Sequence, residues 1–279
     1  MRYAIDIAPL GELADPDAFV RLAVAAEAAG WDGVSTWDSL GVSMGTVAPD
    51  PFVVLAAAAS ATTRLRLIMS VVALPRRRPQ LVAQSAATLD RWSHGRLVLG
   101  VGSGGDPGDF EPFGEPFEAK ARIARMDEGL ALVDAFLRAE PVNHEGPAYA
   151  ARGVSAVGPR SVQEPRPPIW IGGMKPGALR RAARWDGWIG IATSEDGSSL
   201  VLTPDAFGSM VERLDAERAA AGRAEAPFDV GLFAFSEPTD RDLVARYAAA
   251  GATWWLESLS PMRGSLDDQL ARVEAGPPR

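Results

Sequence analysis

The stretch Arg64–Gly105, RLRLIMSVVALPRRRPQLVAQSAATLDRWSHGRLVLGVGSGG, decides how the fold is read. Leu65–Val72 and Arg96–Gly102 are apolar runs without strict alternation, the pattern of strands covered on both faces. Between them Leu81, Val82, Ser85, Ala86 and Leu89 recur at helical spacing over Pro79–Ser93, with Pro79 suited to the first turn. Two parallel strands joined by a helix make one βαβ unit. The second strand then breaks into Gly102-Ser103-Gly104-Gly105 and bares backbone amides where it ends. Ligands of parallel α/β folds sit at the carboxyl ends of strands, so a cofactor is expected here.

Working outward, the same unit repeats. Tyr3–Ala8 is a strand, and Asp15-Pro16 caps a helix that buries Phe19, Leu22, Ala23 and Ala26 and stops at Gly30. Gly33–Trp37 is the second strand, with Asp50-Pro51 opening an Ala-rich second helix. After the quoted stretch come a helix over Lys120–Ala139, with Ile123, Met126, Leu130, Val133 and Leu137 on one face, and a strand over Pro168–Gly172 with its helix Pro176–Arg184. Gly187–Ala192, Phe228–Phe235 and Thr253–Glu257 are the last strands. Their helices start at Thr203-Pro204, at a Thr239/Asp242 capping box and at Ser265, the last running to Ala275. Eight strand–helix units predict an α/β fold, a (β/α)8 TIM barrel, as one domain over 1–279; a doubly wound open sheet is the competing architecture. Two insertions break the rhythm. Ser103–Ala119 follows strand 4, and Pro141–Pro167 precedes strand 5 and carries a small hairpin over Tyr149–Val157.

Composition narrows the function. The 279 residues are 47% hydrophobic, enough for a large core, and 28 basic against 36 acidic residues leave a net charge of −8. That balance argues against nucleic acid or an anionic membrane as a partner. With no cysteine, disulfides, thiolate metal sites and thiol nucleophiles are excluded, and two histidines are little material for a metal centre. No signal peptide is visible and no apolar run approaches the ~20 residues that span a bilayer. A soluble, cytoplasmic protein is expected.

Three runs carry a family resemblance: DRWSHGRLVLGVGSGG (Asp90–Gly105), FEPFGEPFEAKARIARMDEGLALV (Phe110–Val133) and PPIWIGGMKPGALRRAARWDGWI (Pro167–Ile189). In this order they resemble the luciferase-like monooxygenase superfamily, over nearly the whole chain. That superfamily contains FMN-dependent monooxygenases and F420-dependent oxidoreductases on a (β/α)8 barrel. The resemblance implies a non-proline cis peptide at Ser70-Val71, bulging against a deazaflavin ring. It also places Asp38 where F420-dependent relatives often read Asp-His; here Ser39 stands in the histidine's place, so histidine acid–base chemistry does not carry over.

Beside the resemblance, the residues suggest chemistry of their own. Ser103 and Gly104 offer a hydroxyl and amides to a ribityl chain or phosphate, or simply make a turn. Gly172, Gly173, Met174 and Lys175 end a strand ahead of a helix N-terminus and form the stronger phosphate candidate, with Thr193 and Ser194 supplementary. Asp38 either bonds cofactor or substrate or caps its loop. Glu257, at the end of the strand that closes on the first, either shares a pocket with Asp38 as acid or base or pairs with an arginine. Asp6, inside the first strand, needs a partner. His94 reads as structural and His144 as solvated.

The expectation is an F420-dependent oxidoreductase moving hydride to or from a small organic substrate, with FMN as the alternative cofactor. A catalytically silent flavin-binding protein is a further alternative, and an unrelated phosphate-binding barrel suffers from having no obvious Schiff-base lysine at a strand end. No metal is expected. A homodimer through the Ala-rich early helices, notably Pro51–Ala61, and a mobile cover formed by Ser103–Ala119 complete the reading.

Overall fold

The computed structural model describes residues 1–194 and 200–279. Its barrel strands are β1 (Arg2–Ile7), β2 (Gly33–Thr36), β3 (Arg66–Met69), β4 (Leu97–Gly102), β5 (Ile169–Gly172), β6 (Gly187–Ile191), β7 (Asp229–Ala234) and β8 (Trp254–Leu259). All neighbours pair in parallel; β8 pairs with β1, and β3 with β4, which closes the barrel. The helices are α1 (Pro16–Ala28), α2 (Pro51–Ala61), α3 (Pro79–Trp92), α4 (Ala119–Leu137), α5 (Pro176–Ala182), α6 (Pro204–Ala220), α7 (Arg241–Ala249) and α8 (Leu266–Glu274). The open-sheet alternative is excluded by the closure. No helix among the described residues is long and apolar enough to cross a membrane.

Local chemistry accounts for the element boundaries. Asp15 accepts hydrogen bonds from the amides of Asp17 and Ala18, and Asp50 from those of Phe52 and Val53, each with proline at the first helical position. Ser265 and Asp268 form a reciprocal capping box on α8. The box expected at Thr239 and Asp242 does not form. The Asp240 carboxylate turns back to the Glu237 amide instead, and α7 starts at Arg241. The second insertion holds the expected hairpin, but its strands are Val142–Glu145 and Ala150–Val154. His144 is not left to solvent: its Nε2 lies 2.8 Å from the Glu128 carboxylate, which also accepts the amides of Ala148 and Tyr149 and so ties the hairpin to α4. Two residues assigned to buried helix faces, Leu81 and Ile123, are exposed.

Two apolar layers hold the barrel together. Outside it, alternate strand residues such as Ile5, Val34, Leu67, Leu99 and Trp255 pack against the helices. Inside, Ala4, Ile68, Val98, Trp170, Ile189, Trp254 and Leu256 form a separate core. Trp170 and Trp254 meet edge to face at 5.8 Å and plug the end where the strands begin, with the Arg2 guanidinium 4.3 Å from the Trp254 ring. Indoles of that size need space from their neighbours. Gly187 and Gly33 supply it: a Cβ at Gly187 would overlap the Trp170 ring, and one at Gly33 would lie 3.3 Å from Trp254.

The third strand departs from the continuous Leu65–Val72 run expected. Ile68 pairs with Val98 and Val72 with Val101, so β3 carries one residue more than the β4 segment opposite it. The ladder resumes only at Val72–Ala73, and the interruption is the cis peptide Ser70-Val71. Gly100 lies opposite this irregularity, where a Cβ would overlap the Met69 carbonyl oxygen. Gly100→Ala therefore has to push β3 and β4 apart, and is expected to lower stability by about 3 kcal/mol. A urea midpoint within error of wild type would disprove this close approach.

Candidate functional site

The mouth of the barrel is built around Val71. Its side chain lies against the ends of β4 and β5, where a Cβ at Gly102 would overlap it and one at Gly172 would come within 2.9 Å. The Val71 carbonyl accepts the Asp38 amide at 3.2 Å, fastening the bulge to the end of β2. Ser70 and Val71 are half-buried, open on the side where the strands end.

Asp38 braces this bulge. Its carboxylate accepts from Arg76, from Arg77 Nε at 2.8 Å and Nη2 at 2.7 Å, and from the Ala73 amide at 3.1 Å. These bonds use up the lone pairs of both oxygens. Asp38 thus acts as a strut that holds the chain after the bulge against β2, and it is poorly placed to exchange a proton. Ser39 donates weakly to Asp109 at 3.4 Å and accepts the Gly41 amide at 2.9 Å. Asp109 also accepts the Leu40 amide and lies 4.0 Å from Arg76. The arginines Arg76 and Arg77 and the acceptor Asp109 were missed in the sequence; the signal was the run Arg76-Arg77-Arg78 directly after an apolar strand.

Glu257 is not in the pocket. It alternates with Leu256 and points outward, fully buried, accepting from the Ser236 amide and hydroxyl, Trp255 Nε1 and Arg263 at 2.9 Å, with the Arg272 guanidinium as an ion-pair partner at 3.2 Å. It pins α8 and the end of β7 to β8. The structure does not bring Asp38 and Glu257 together; of the two readings of Glu257, the arginine partner is the one realised.

The phosphate candidate is assembled as a loop. The Trp188 indole donates to the Gly173 carbonyl at 2.8 Å, and the Ile191 amide to the Met174 sulfur at 3.1 Å. Gly173 has φ +126, a backbone that side-chain-bearing residues rarely adopt, and Lys175 is exposed at the start of α5. Across the mouth, Ser103 is half-buried, and Gly104 (φ +74) has no room for a Cβ because the Phe110 ring lies 2.7 Å from where it would be. Thr193 forms a bridge with Leu200 beyond β6, and Ser194 follows it.

The loop over Ser103–Ala119 is more firmly seated than a free cover. Phe110 is buried, Asp109 is held by Leu40 and Ser39, and the Gly108 amide donates to Ser43. Arg122 from α4 stacks 3.8 Å over Phe117. Of the two rings that suggested a lid, Phe110 acts as an anchor and Phe113 is exposed.

Asp6 carries the most unusual electrostatics of the site. It is fully buried, with Oδ1 accepting from the hydroxyls of Ser35 and Ser70 and Oδ2 without a partner. Burial pushes its pKa up to about 6, against the pull of the Ser35 and Ser70 hydrogen bonds. Because the folded value lies above the unfolded one, its favourable contribution is present in acid and lost as pH rises through about 6. From about pH 3.5 to about pH 7 the protein should lose about 3 kcal/mol of stability relative to Asp6→Asn. Urea unfolding of both proteins across this range measures it; parallel curves would show that Asp6 does not titrate there.

Comparison with known proteins places this architecture. A closed parallel barrel of this kind is shared with two solved structures. One is a monooxygenase from Streptomyces bottropensis, with 21% identity, TM-score 0.80 and 99% of this chain and 97% of that one covered. The other is an F420-dependent secondary alcohol dehydrogenase in complex with an F420-acetone adduct, with 14% identity, TM-score 0.83 and 99% and 98% covered. An uncharacterised protein of Mycobacterium tuberculosis is 31% identical over 234 residues, 76% of this chain and 75% of that protein. The luciferase-like monooxygenase model matches residues 4–275, and the chain belongs to that family of flavin- and F420-dependent oxidoreductases and monooxygenases.

Proposed function

We propose that the protein is an F420-dependent oxidoreductase that passes hydride to or from a small organic substrate in the cytoplasm. The observation that carries this reading is the Ser70-Val71 bulge, with Val71 laid against the glycine ends of β4 and β5. This gives a flat, apolar rest for one face of a tricyclic ring. The space that side chains would take at Gly102 and Gly172 is filled by Val71, and that at Gly104 by Phe110, so these glycines let the rest itself be seated. A bound deazaflavin would supply hydride chemistry at its ring, and the protein would supply position and a proton path. Ser70 and Val71 would support the ring, and Ser103 and Gly104 the chain that follows it. Gly172, Gly173, Met174 and Lys175 would hold the phosphate.

Fluorescence titration of the apo-protein with F420 and FMN tests the choice. F420 should bind at least tenfold more tightly, and Lys175→Ala should weaken it by about tenfold, the size of one charge-assisted hydrogen bond. Lys175 is exposed, so melting should not change. Tenfold tighter FMN binding would reverse the assignment of cofactor but not of family.

The working unit is proposed to be a homodimer. The faces of α2 and α3 leave Val53 66% and Trp92 61% exposed along a groove also lined by Ala56 and Ala57, with Leu81 56% exposed elsewhere on α3. Such apolar area suits a self-complementary interface. Light scattering should give twice the chain mass at micromolar concentration, with Trp92→Glu monomeric; a wild-type monomer would refute it.

A further inference from the structure

Ala4 and Asp6 share the inward face of β1, and in the barrel Asp6 lies level with Ser35 of β2 and Ser258 of β8. Ser70, beyond Ile68 on the same face of the third strand, reaches down to Asp6 from the half-open mouth. The hydroxyls of Ser35 and Ser70 are its hydrogen-bond partners among the described residues, and no charged side chain is paired with it. Glu257, beside Ser258, faces outward to Arg263 and Arg272; Asp38, beyond β2, is held by Arg76 and Arg77. Arg66 on β3 bonds Gly95, Leu97 and Gln163 at the other end of the barrel, and Arg2 on β1 pairs with Asp229 there.

A buried, half-satisfied carboxyl destabilises a barrel core that apolar side chains would fill better. Such a group directly beneath the barrel mouth points to chemistry. The orientation is informative. Ser70 donates its proton downward to Asp6, so the Ser70 oxygen presents lone pairs upward, ready to receive a proton from a bound group.

We propose that Ser70 and Asp6 form a proton relay for oxidation of an alcohol at the barrel mouth, in the place left by Ser39. The relay rests on the F420 reading given above. The carbinol C–H bond breaks, its hydride passing to the oxidised deazaflavin, which is reduced by two electrons. The alcohol O–H proton passes to the Ser70 oxygen as Ser70's own proton moves to Asp6 Oδ1. The C=O bond of the product forms, and Asp6 later returns the proton to solvent. Ser70 is the catalytic residue in this step, and Asp6 is the positioning residue that polarises it and stores the proton. Its raised pKa suits a group that must be ionised to act yet protonated in turn.

Infrared spectroscopy of the apo-protein tests the pair without cofactor. A protonated-carboxyl band should titrate around pH 6, vanish in Asp6→Asn and shift in Ser70→Ala, which loses the bond to Oδ1. F420 reduction by a panel of primary and secondary alcohols of two to six carbons is then followed by its visible absorbance. The wild-type rate should rise with pH through about 6, and both variants should lose about 100-fold or more, with the F420 affinity of Asp6→Asn within twofold of wild type. The relay is overturned by an absent band, by Asp6→Asn within tenfold of wild type, or by a panel in which no alcohol reduces F420. F420 that binds while Asp6→Asn stays active sinks the relay alone; F420 that fails to bind sinks the function reading and the relay with it.

Discussion

Everything at the mouth depends on how little room Val71 has. The third strand carries one residue more than its partner, and the Val71 side chain lies over the ends of β4 and β5, where only glycine leaves space. That crowding is met from the opposite side by Asp38, which grips the Val71 carbonyl with its amide and the following arginines with its carboxylate. Sterics determine where the bulge points, and the ion pairs keep it there. Because these arginines are mostly shielded from water, their pairing with Asp38 is screened far less than a surface bridge would be.

Much of the architecture was legible because it rests on short-range rules. Eight apolar strands, Asp-Pro caps at the starts of α1 and α2 and the start of the closing helix at Ser265 are each decided by neighbours in sequence, and the structure bears them out. The site was harder to read. Whether Glu257 faces the pocket or the helices depends on strand register, since one residue either way reverses the side. Asp38 could be placed at a strand end, but not the guanidinium groups of Arg76 and Arg77 that saturate it, which come from the turn after the next strand. Thr239 and Asp242 matched a capping pattern whose outcome turned on the competing Glu237 amide. Asp6 was recognisable as a buried polar residue, but its hydroxyl partners lie 29 and 64 residues away.

The three carboxylates illustrate how one functional group serves different ends in one fold. Glu257 and Asp38 are surrounded by arginine and amide donors and act as cross-links between elements. Asp6 has two neutral hydroxyls and a free oxygen. The number and charge of the donors around a carboxylate, more than its burial, separate a brace from a group able to change its protonation.

The tryptophan plug has a consequence for traffic. With Trp170 and Trp254 filling the base of the barrel and Arg2 stacked beneath, the interior is closed at that end, as in a vessel with a single neck. Two molecules that must touch inside such a vessel cannot arrive from opposite ends. Whichever lies deeper enters first and leaves last, so the order of loading and unloading is written into the geometry of the floor.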